Sequence, residues 1–364
     1  MPARAPAPAG QGEWLARAGR DGAGVWLDNA RGAVHTLEDD GHSLSLVLAD
    51  DDPGTSYVAS LISAWPRYGC DEARRHLPLP ARPAASLALG PLAALMRAGR
   101  LHRAAFVGNE LVSTNLLPDL SADAWRRVRD AAIALAPARP LVLRNVCEAI
   151  RSGLPARLER AGWLLVPART VYLCDPADPA VRRRNNNKND ARLLKREDVR
   201  FVSPEAIVPA DLPALRALFR QLFMERHSAL NPDFSDAFFE LCRTRRYLEL
   251  HGLRHDGRWV GVVGFLHRHG WLTTPLLGYD LSAPRELGLY RRLMAHGQRA
   301  ALACGARLHL SAGAGEFKRS RGGEPVLEFT ALYVAHLPRG PRAAATAFAA
   351  TLARLAPPVL RRFG

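Results

Sequence analysis

The stretch whose reading decides the fold is Trp271–Tyr333, WLTTPLLGYDLSAPRELGLYRRLMAHGQRAALACGARLHLSAGAGEFKRSRGGEPVLEFTALY. Trp271 to Leu277 is apolar and β-prone, and Gly278, Ser282, Ala283 and Pro284 break it. Leu289, Leu293, Ala300, Ala301 and Leu302 then return at helical spacing, so a helix is predicted there. It opens behind Arg285-Glu286-Leu287-Gly288, where unpaired backbone N–H groups and the positive end of the helix dipole favour an anion or an oxyanion. Arg307 to Leu310 reads as the next strand, Ser311 to Gly315 as a glycine-rich turn, and Glu324 to Tyr333 as a closing strand. Between them lie Lys318, Arg319 and Arg321. Such a run is either solvated surface or a clamp for phosphate or carboxylate, and its glycine flanks and neighbouring strands favour the clamp.

The order strand, loop with Arg-x-x-Gly, helix, strand, turn, strand resembles the core of the GNAT acyltransferase superfamily. The wording TTPLLGYD, GLYRRLMA, LSAGAGEFKRSRG and EPVLEFTALY is similar to the branch that includes the Fem-type peptidoglycan aminoacyltransferases. The likeness is specific from about Val181 onward and a matter of pattern over Leu44 to Asp175. It implies a fold and a reaction class without naming a substrate.

Outward from that stretch, the chain has 364 residues, 48% of them apolar, enough for two domains or one large one. No run of about eighteen apolar residues occurs, and the start, MPARAPAPAGQG, lacks the apolar centre of a secretory signal. The expectation is a cytoplasmic protein with a flexible tail over residues 1–30. Cys70, Cys147, Cys174, Cys242 and Cys304 are scattered with no Cys-x-x-Cys pair, which argues against a disulfide framework or a zinc site. Cys174 and Cys304 read as buried structural thiols. The net charge of +15 would attract tRNA, an anionic lipid surface or an acidic carrier protein, although an arginine-rich composition alone gives the same number.

In the first half, strands are expected over Val34–Glu38 and Leu44–Ala49, then a loop-rich, proline-rich Asp71–Leu101. Further strands are read at Ala104–Gly108 and Glu110–Leu117. A helix capped by Ser121 spans Ala122–Leu135, and a second spans Ala149–Ala161. Leu141–Leu143, Trp163–Val166 and Thr170–Leu173 complete a sheet. The acidic Asp50-Asp51-Asp52 reads as a solvated turn rather than a metal site, having no further ligand at suitable spacing. The second half repeats this order, with strands about the Asp256-Gly257 turn. The expectation is therefore an α/β (α+β) protein of two GNAT-like domains in tandem, each a mixed, mostly antiparallel sheet flanked by helices. They are placed at residues 31–180 and 201–364, joined by 181–200. In that joint Lys188, Arg192, Lys195 and Arg196 fall near one helical face, which is either a bare linker or a tRNA-binding surface.

Leu212 to His227 is predicted as an amphipathic helix, and His227 at its end is a candidate general base or a residue completing the helix dipole. Acyl transfer needs an amine beside an activated carbonyl, a proton acceptor and donors for the oxyanion. Tyr279 and Asp280, just past a strand, suit acceptor orientation or proton transfer, or else form a turn with a packed ring. Ser311 is a candidate hydroxyl donor, and Arg285, Gly288, Lys318, Arg319 and Arg321 are candidate donor-binding residues. No Gly-x-Ser-x-Gly, P-loop or HExxH occurs, so those chemistries have no motif behind them. GNAT enzymes that use acetyl-CoA resemble one another in a phosphate loop ending in a small residue, and here Tyr290 stands in that place. The resemblance thus implies aminoacyl-tRNA as donor, with acyl-CoA or an acyl-carrier-protein thioester as the alternative and an amine of a small or cell-envelope metabolite as acceptor. No tightly bound cofactor and no metal are expected. A reading from another class is a non-catalytic GNAT-like binder of tRNA, lipid or a carrier protein, in peripheral contact with a membrane.

Overall fold

The computed structural model describes residues 10–39, 41–76 and 82–363. In the first half, helix α1 (Gln11–Asp21) leads to strands β1 (Gly32–Asp39) and β2 (His42–Ala49), then helices α2 (Tyr68–His76) and α3 (Arg82–Ala98). Next come β3 (Ala105–Val107), α4 (Ala122–Leu135), β4 (Leu141–Val146), α5 (Leu154–Arg160) and the long β5 (Leu164–Cys174). The second half starts with α6 (Pro179–Arg182), α7 (Asn185–Leu193), β6 (Arg200–Val202), α8 (Leu212–Arg220) and α9 (Asp236–Arg245). Strands β7 (Glu249–His255), β8 (Arg258–Arg268) and β9 (Trp271–Tyr279) follow. The chain ends with α10 (Leu289–Ala303), β10 (Arg307–His309), α11 (Gly315–Arg319), β11 (Glu324–Tyr333) and α12 (Arg339–Phe363).

The expected mixed, mostly antiparallel α/β architecture is present, with all eleven strands in one sheet, ordered β1-β2-β3-β4-β11-β5-β10-β9-β8-β7-β6. Among the described residues only β3 with β4 and β9 with β10 run parallel. The two halves interlock: β11 lies between β4 and β5, so that Leu332 faces Val142 on one side and Leu164 on the other. The free edge of β5 then bonds β10. The insertion pairs one edge of β5 from Leu164 to Leu173, while β10 pairs the other only at Leu173 and Cys174.

Helices cover both faces. Trp125 and Val128 of α4 and Leu158 of α5 pack against Leu143 on one side. On the other, Trp14, Trp26, Phe219, Phe238 and Phe348 share one core. Leu293 of α10 meets Phe265 and Leu277. Helix α8 approaches β9 so closely at Gly278 that an added Cβ would stand 2.5 Å from the backbone of Leu218 and Phe219.

Several sequence expectations are corrected. Residues 11–30 are not a flexible tail. Trp14, Leu15 and Ala18 form a buried stripe on α1, and Trp14 stacks on Tyr247 with ring centroids 6.4 Å apart. Gln11 donates to Glu110, which also receives the Tyr247 hydroxyl at 2.6 Å and pairs with Arg268, so α1 is tied to both halves. Residues 1–9 lie outside the described residues. The proline-rich segment 71–101 is largely helical, because Pro83 stands in the first turn of α3 and Pro91 is accommodated within it; residues 77–81, with Pro78 and Pro80, lie outside the described residues. Glu110–Leu117 is no strand but a buried irregular segment satisfied by asparagine side chains. Helix α5 starts only at Leu154, after Gly153 turns into the left-handed region at φ 70°. The two short strands expected at 163–173 are one. Cys304 is exposed, whereas Cys174 is buried.

Replacing Trp14 with alanine should cost on the order of 3–5 kcal/mol, as for a large aromatic removed from a core. Denaturant unfolding measures this, and a loss well under 1 kcal/mol would return the segment to the status of a tail.

Candidate active site

Strands β9 and β10 pair only where Trp271–Thr273 faces Arg307–His309. Beyond His309 the chain parts from β9, with Leu310 and Ser311 still bonded to Tyr172 of β5, while β9 continues to Tyr279 against β8 alone. Three aromatic rings from different elements cluster at the end of β9. Tyr279 ends β9, Tyr290 stands in the first turn of α10, and Phe317 lies in α11. Ring centroids are 6.1 Å apart for Tyr279 and Tyr290, and 4.8 Å for Tyr290 and Phe317. The first turn of α10 and helix α11 therefore meet through Tyr290 and Phe317.

The loop before α10 is held from inside by Arg292, which is fully buried and donates to the Leu287 carbonyl at 2.9 Å, the Arg196 carbonyl at 3.3 Å and Asp198 at 2.5 Å. Gly288 is the residue before α10, with φ 58°. An added Cβ there would lie 2.8 Å from the Leu193 side chain, so the glycine lets α7 approach α10. Arg285 is exposed. Asp190 of α7, buried, accepts from Arg321 at 2.6 Å and from Arg291 at 2.7 Å. Arg321 is thus a strut between elements, and Arg319 donates to the Tyr172 hydroxyl at 2.8 Å.

Lys318 differs from its neighbours. Its side chain is buried, and Nζ donates to the carbonyls of Ser311 at 3.2 Å and Ala312 at 2.7 Å. Burial, with the nearby Arg169 charge added, brings its pKa down to about 7. Asp280, by contrast, accepts from the Ser282 amide at 2.8 Å and hydroxyl at 2.6 Å and so closes its own turn. His227 is exposed at the end of a π-helical turn, Gln221–His227, with its ring against Phe223.

Behind Lys318 lies a polar network that sequence reading missed. Glu328 of β11 accepts from Arg169 at 2.6 Å and from Asn145 at 2.9 Å, with His309 at 3.4 Å. Arg169 reaches the Ser311 hydroxyl at 3.4 Å, the Ser113 carbonyl at 2.9 Å and the Thr114 hydroxyl at 3.1 Å. Asn145 Oδ1 accepts the Asn115 amide and side chain at 2.9 Å each, and Asn109 joins Asn115 to Arg144. Burial raises the Glu328 pKa, but the Arg169 charge and the His309 bond outweigh it and hold the carboxyl at about 2. Burial lowers the His309 pKa, against the opposing pull of the Glu328 carboxylate. Four non-glycine residues with positive φ stand in or beside this network: Leu111 at 60°, Asn145 at 62°, Ser311 at 59° and Ala314 at 49°. Such strain collects where the surroundings over-determine a geometry. Charged residues inside apolar strands, Glu328 in VLEFTALY and Arg169 in VPARTVYLC, were the available signal.

The basic segment 185–193 is helical, as one of its two readings required. Lys188 and Lys195 line a groove of about 390 Å³ against α10 together with Arg182 and Arg299, over an apolar floor that includes Val181, Leu194 and Ala295. Arg192 turns to Asn189 and Arg196 to Asp198, both outside that groove.

Residues 180–319 match the family model described as an acetyltransferase (GNAT) domain. Among solved structures the chain is similar to FemX, with a TM-score of 0.51 at 10% identity over 85% of this chain and 89% of that one. It is also similar to the C-terminal domain of an Agrobacterium fabrum protein described as a lysylphosphatidylglycerol synthetase, with a TM-score of 0.47 at 13% identity over 79% and 96% of the two chains. For L-PGS from Bacillus licheniformis the TM-score is 0.46 at 13% identity, over 62% and 78%. No curated protein matches the chain. Residues 180–319 therefore carry a GNAT acetyltransferase-type domain, and the likeness to FemX extends to the fold alone.

Glu328→Gln should cost about 3–5 kcal/mol at neutral pH, since it leaves Arg169 without its counter-charge. The wild-type contribution is present above the ordinary carboxylate pKa and is lost as pH falls from there toward about 2, the depressed value. Unfolding free energies across that range should fall in the wild type and flatten in the variant.

Proposed function

We propose that the chain transfers an aminoacyl group from aminoacyl-tRNA to an amine of a small or cell-envelope metabolite, at the opening between β9 and β10, with Lys318 carrying the proton. The reading also takes the two halves as GNAT-like units in tandem and the reaction as cytoplasmic, where such a donor is made. The observation that carries it is the Lys318 environment. A neutral lysine has two N–H groups and one lone pair. The Ser311 and Ala312 carbonyls take both N–H groups, which leaves the lone pair to accept a proton. With its pKa brought to about 7, that state is populated at neutral pH.

The chemistry follows. The acceptor amine forms a bond to the carbonyl carbon, and its proton passes to Lys318 Nζ. The oxyanion is met by the unpaired amides at the start of α10 or by the Tyr279 hydroxyl. The carbon–oxygen ester bond then breaks, and the departing ribose hydroxyl regains the proton from Lys318. Tyr290 supports this donor, since its half-buried ring packs between Tyr279 and Phe317 in the place of the small residue that a close pyrophosphate needs. The groove of Arg182, Lys188, Lys195 and Arg299 would suit a phosphodiester backbone. A second reading, an acyl-CoA or acyl-carrier thioester, is favoured by one feature: no side chain caps α10, so its first amides are open to a phosphate.

Product mass spectrometry with charged tRNA and with acyl-CoA donors decides between the two. Lys318→Met should lower turnover by about 10²–10⁴-fold with the fold intact. Wild-type rate should rise with pH through about 7, as the lysine loses its proton, and Lys318→Arg, which stays charged, should not restore it. Full activity in Lys318→Met would remove the lysine from the mechanism, and no product with either donor would leave a binding protein.

A further inference from the structure

Arg144 of β4 is a buried cation to which no described residue gives a counter-charge of its own. It is 9% exposed, and Nη1 donates to the carbonyls of Val112 at 3.1 Å and Val58 at 3.5 Å and to Asn109 Oδ1 at 3.2 Å. All three acceptors are neutral. Among the described residues Nε and Nη2 meet no hydrogen-bond partner, and no carboxylate forms an ion pair with the guanidinium. The other buried arginines are held differently, since Arg268, Arg292 and Arg321 each grip a carboxylate. Glu328 lies within electrostatic reach of Arg144 but is already engaged by Arg169, Asn145 and His309.

A second guanidinium stands beside it. Val112 and Ser113 are consecutive, and their carbonyls receive Arg144 and Arg169 respectively, so the two side chains are neighbours and the Arg169 charge acts on Arg144. Two guanidiniums against one carboxylate leave this part of the sheet with excess positive charge, before Lys318 is counted. Solvent reaches the place: the Arg169 side chain is 20% exposed, and Tyr57, Ser113 and Ser311 are half-buried. Arg144 lies over the Tyr57 ring, 5.8 Å from its centroid, and the Tyr57 hydroxyl meets no hydrogen-bond partner among the described residues.

An arginine does not shed its proton to relieve burial, and a buried charge without a partner is unfavourable until one arrives. Water satisfies N–H groups but supplies no charge. The Nε–Nη2 edge carries two parallel N–H groups, the fork that matches two oxygens of a carboxylate or a phosphate. We propose that this edge of Arg144, with the Tyr57 hydroxyl as a further donor, binds a carboxylate or phosphate group of the acceptor, which is therefore an anionic amine. The anchor is linked to the reacting end through one chain of contacts: Arg169 reaches the Ser311 hydroxyl, and the Ser311 carbonyl receives Lys318. That the anion belongs to the acceptor rests on the transfer reading, whereas the anion site itself does not.

The Nε–Hε resonance of Arg144 in the nitrogen-15-labelled full chain, assigned with Arg144→Lys, reports the site directly. It is titrated with sodium acetate and, separately, with inorganic phosphate, against sodium chloride at equal ionic strength. A saturable shift with acetate or phosphate and none with chloride is expected, weakened about threefold or more in Tyr57→Phe and kept in Lys318→Met. The anion that saturates at the lower concentration tells carboxylate from phosphate recognition. Absence of a saturable shift up to about 100 mM of either anion, a concentration far above any useful affinity, overturns the site. Turnover is the second readout, with glycylglycine and phosphoethanolamine set against the neutral glycylglycinamide and ethanolamine. Arg144→Lys should raise KM for the preferred anionic amine about tenfold or more, with kcat and the neutral amines little changed. Equal use of anionic and neutral amines would overturn the assignment to the acceptor. No turnover with any amine beside an intact titration would count against the transfer reading and leave the anion site standing.

Discussion

The carboxylate of Glu328 is the charge around which the middle of the sheet is assembled. A charge of this kind is tolerated inside a protein only when it is paired and hydrogen-bonded. Here Arg169 of β5, Asn145 of β4 and His309 of β10 all reach it, so one group on β11 engages three other strands. The Ser311 amide donates to His309 Nδ1, which leaves the proton on Nε2, facing the carboxylate. Placing β11 between β4 and β5 satisfies these partners together, and the interlocked strand order follows from that requirement as much as from apolar pairing.

The same cluster sets the electrostatics of the opening beside it. Arg169 neutralises Glu328, and its charge adds to burial in lowering the Lys318 pKa. Structure and chemistry are therefore coupled through one guanidinium. The positive φ values at Asn145 and Ser311 belong to this arrangement. Asn145 must turn its side chain to Glu328 and Asn115 at once, and Ser311 must present its carbonyl to Lys318. Conformations that cost about 1–3 kcal/mol each are held there by a fully bonded surround.

The excess of positive charge is divided between two kinds of arginine. Arg169, Arg268, Arg292 and Arg321 are committed to internal carboxylates and act as ties between elements. Others remain at the surface, among them Arg126, Arg127, Arg258 and Arg285, and Arg182 and Arg299 line the groove between α7 and α10. A net charge of +15 thus describes neither a uniform field nor a single binding site.

By itself the sequence determined the elements that obey local rules. Helix α4 with its Ser121 cap, the hairpin of β7 and β8, and the run from β9 through α10 to β11 are where periodicity and turn chemistry place them. Tyr279, Gly288, Ser311 and Lys318 were legible as candidates because they follow one another along that run, and of these the fold bonds Lys318 to the Ser311 carbonyl. Asp280 was legible as a turn residue, its partner Ser282 standing two positions on, whereas Arg319 and Arg321 were not legible as bonded ones, since their partners Tyr172 and Asp190 emerge only from the fold. Tertiary structure alone decided that Trp14 joins the core, that 110–117 is a loop of asparagine-bonded backbone, and that Glu328 meets Arg169. The physical reason is separation along the chain. Periodicity reports which side of an element is buried, while the identity of the group across a buried contact, here 159 residues away, depends on strand order, which no local pattern encodes.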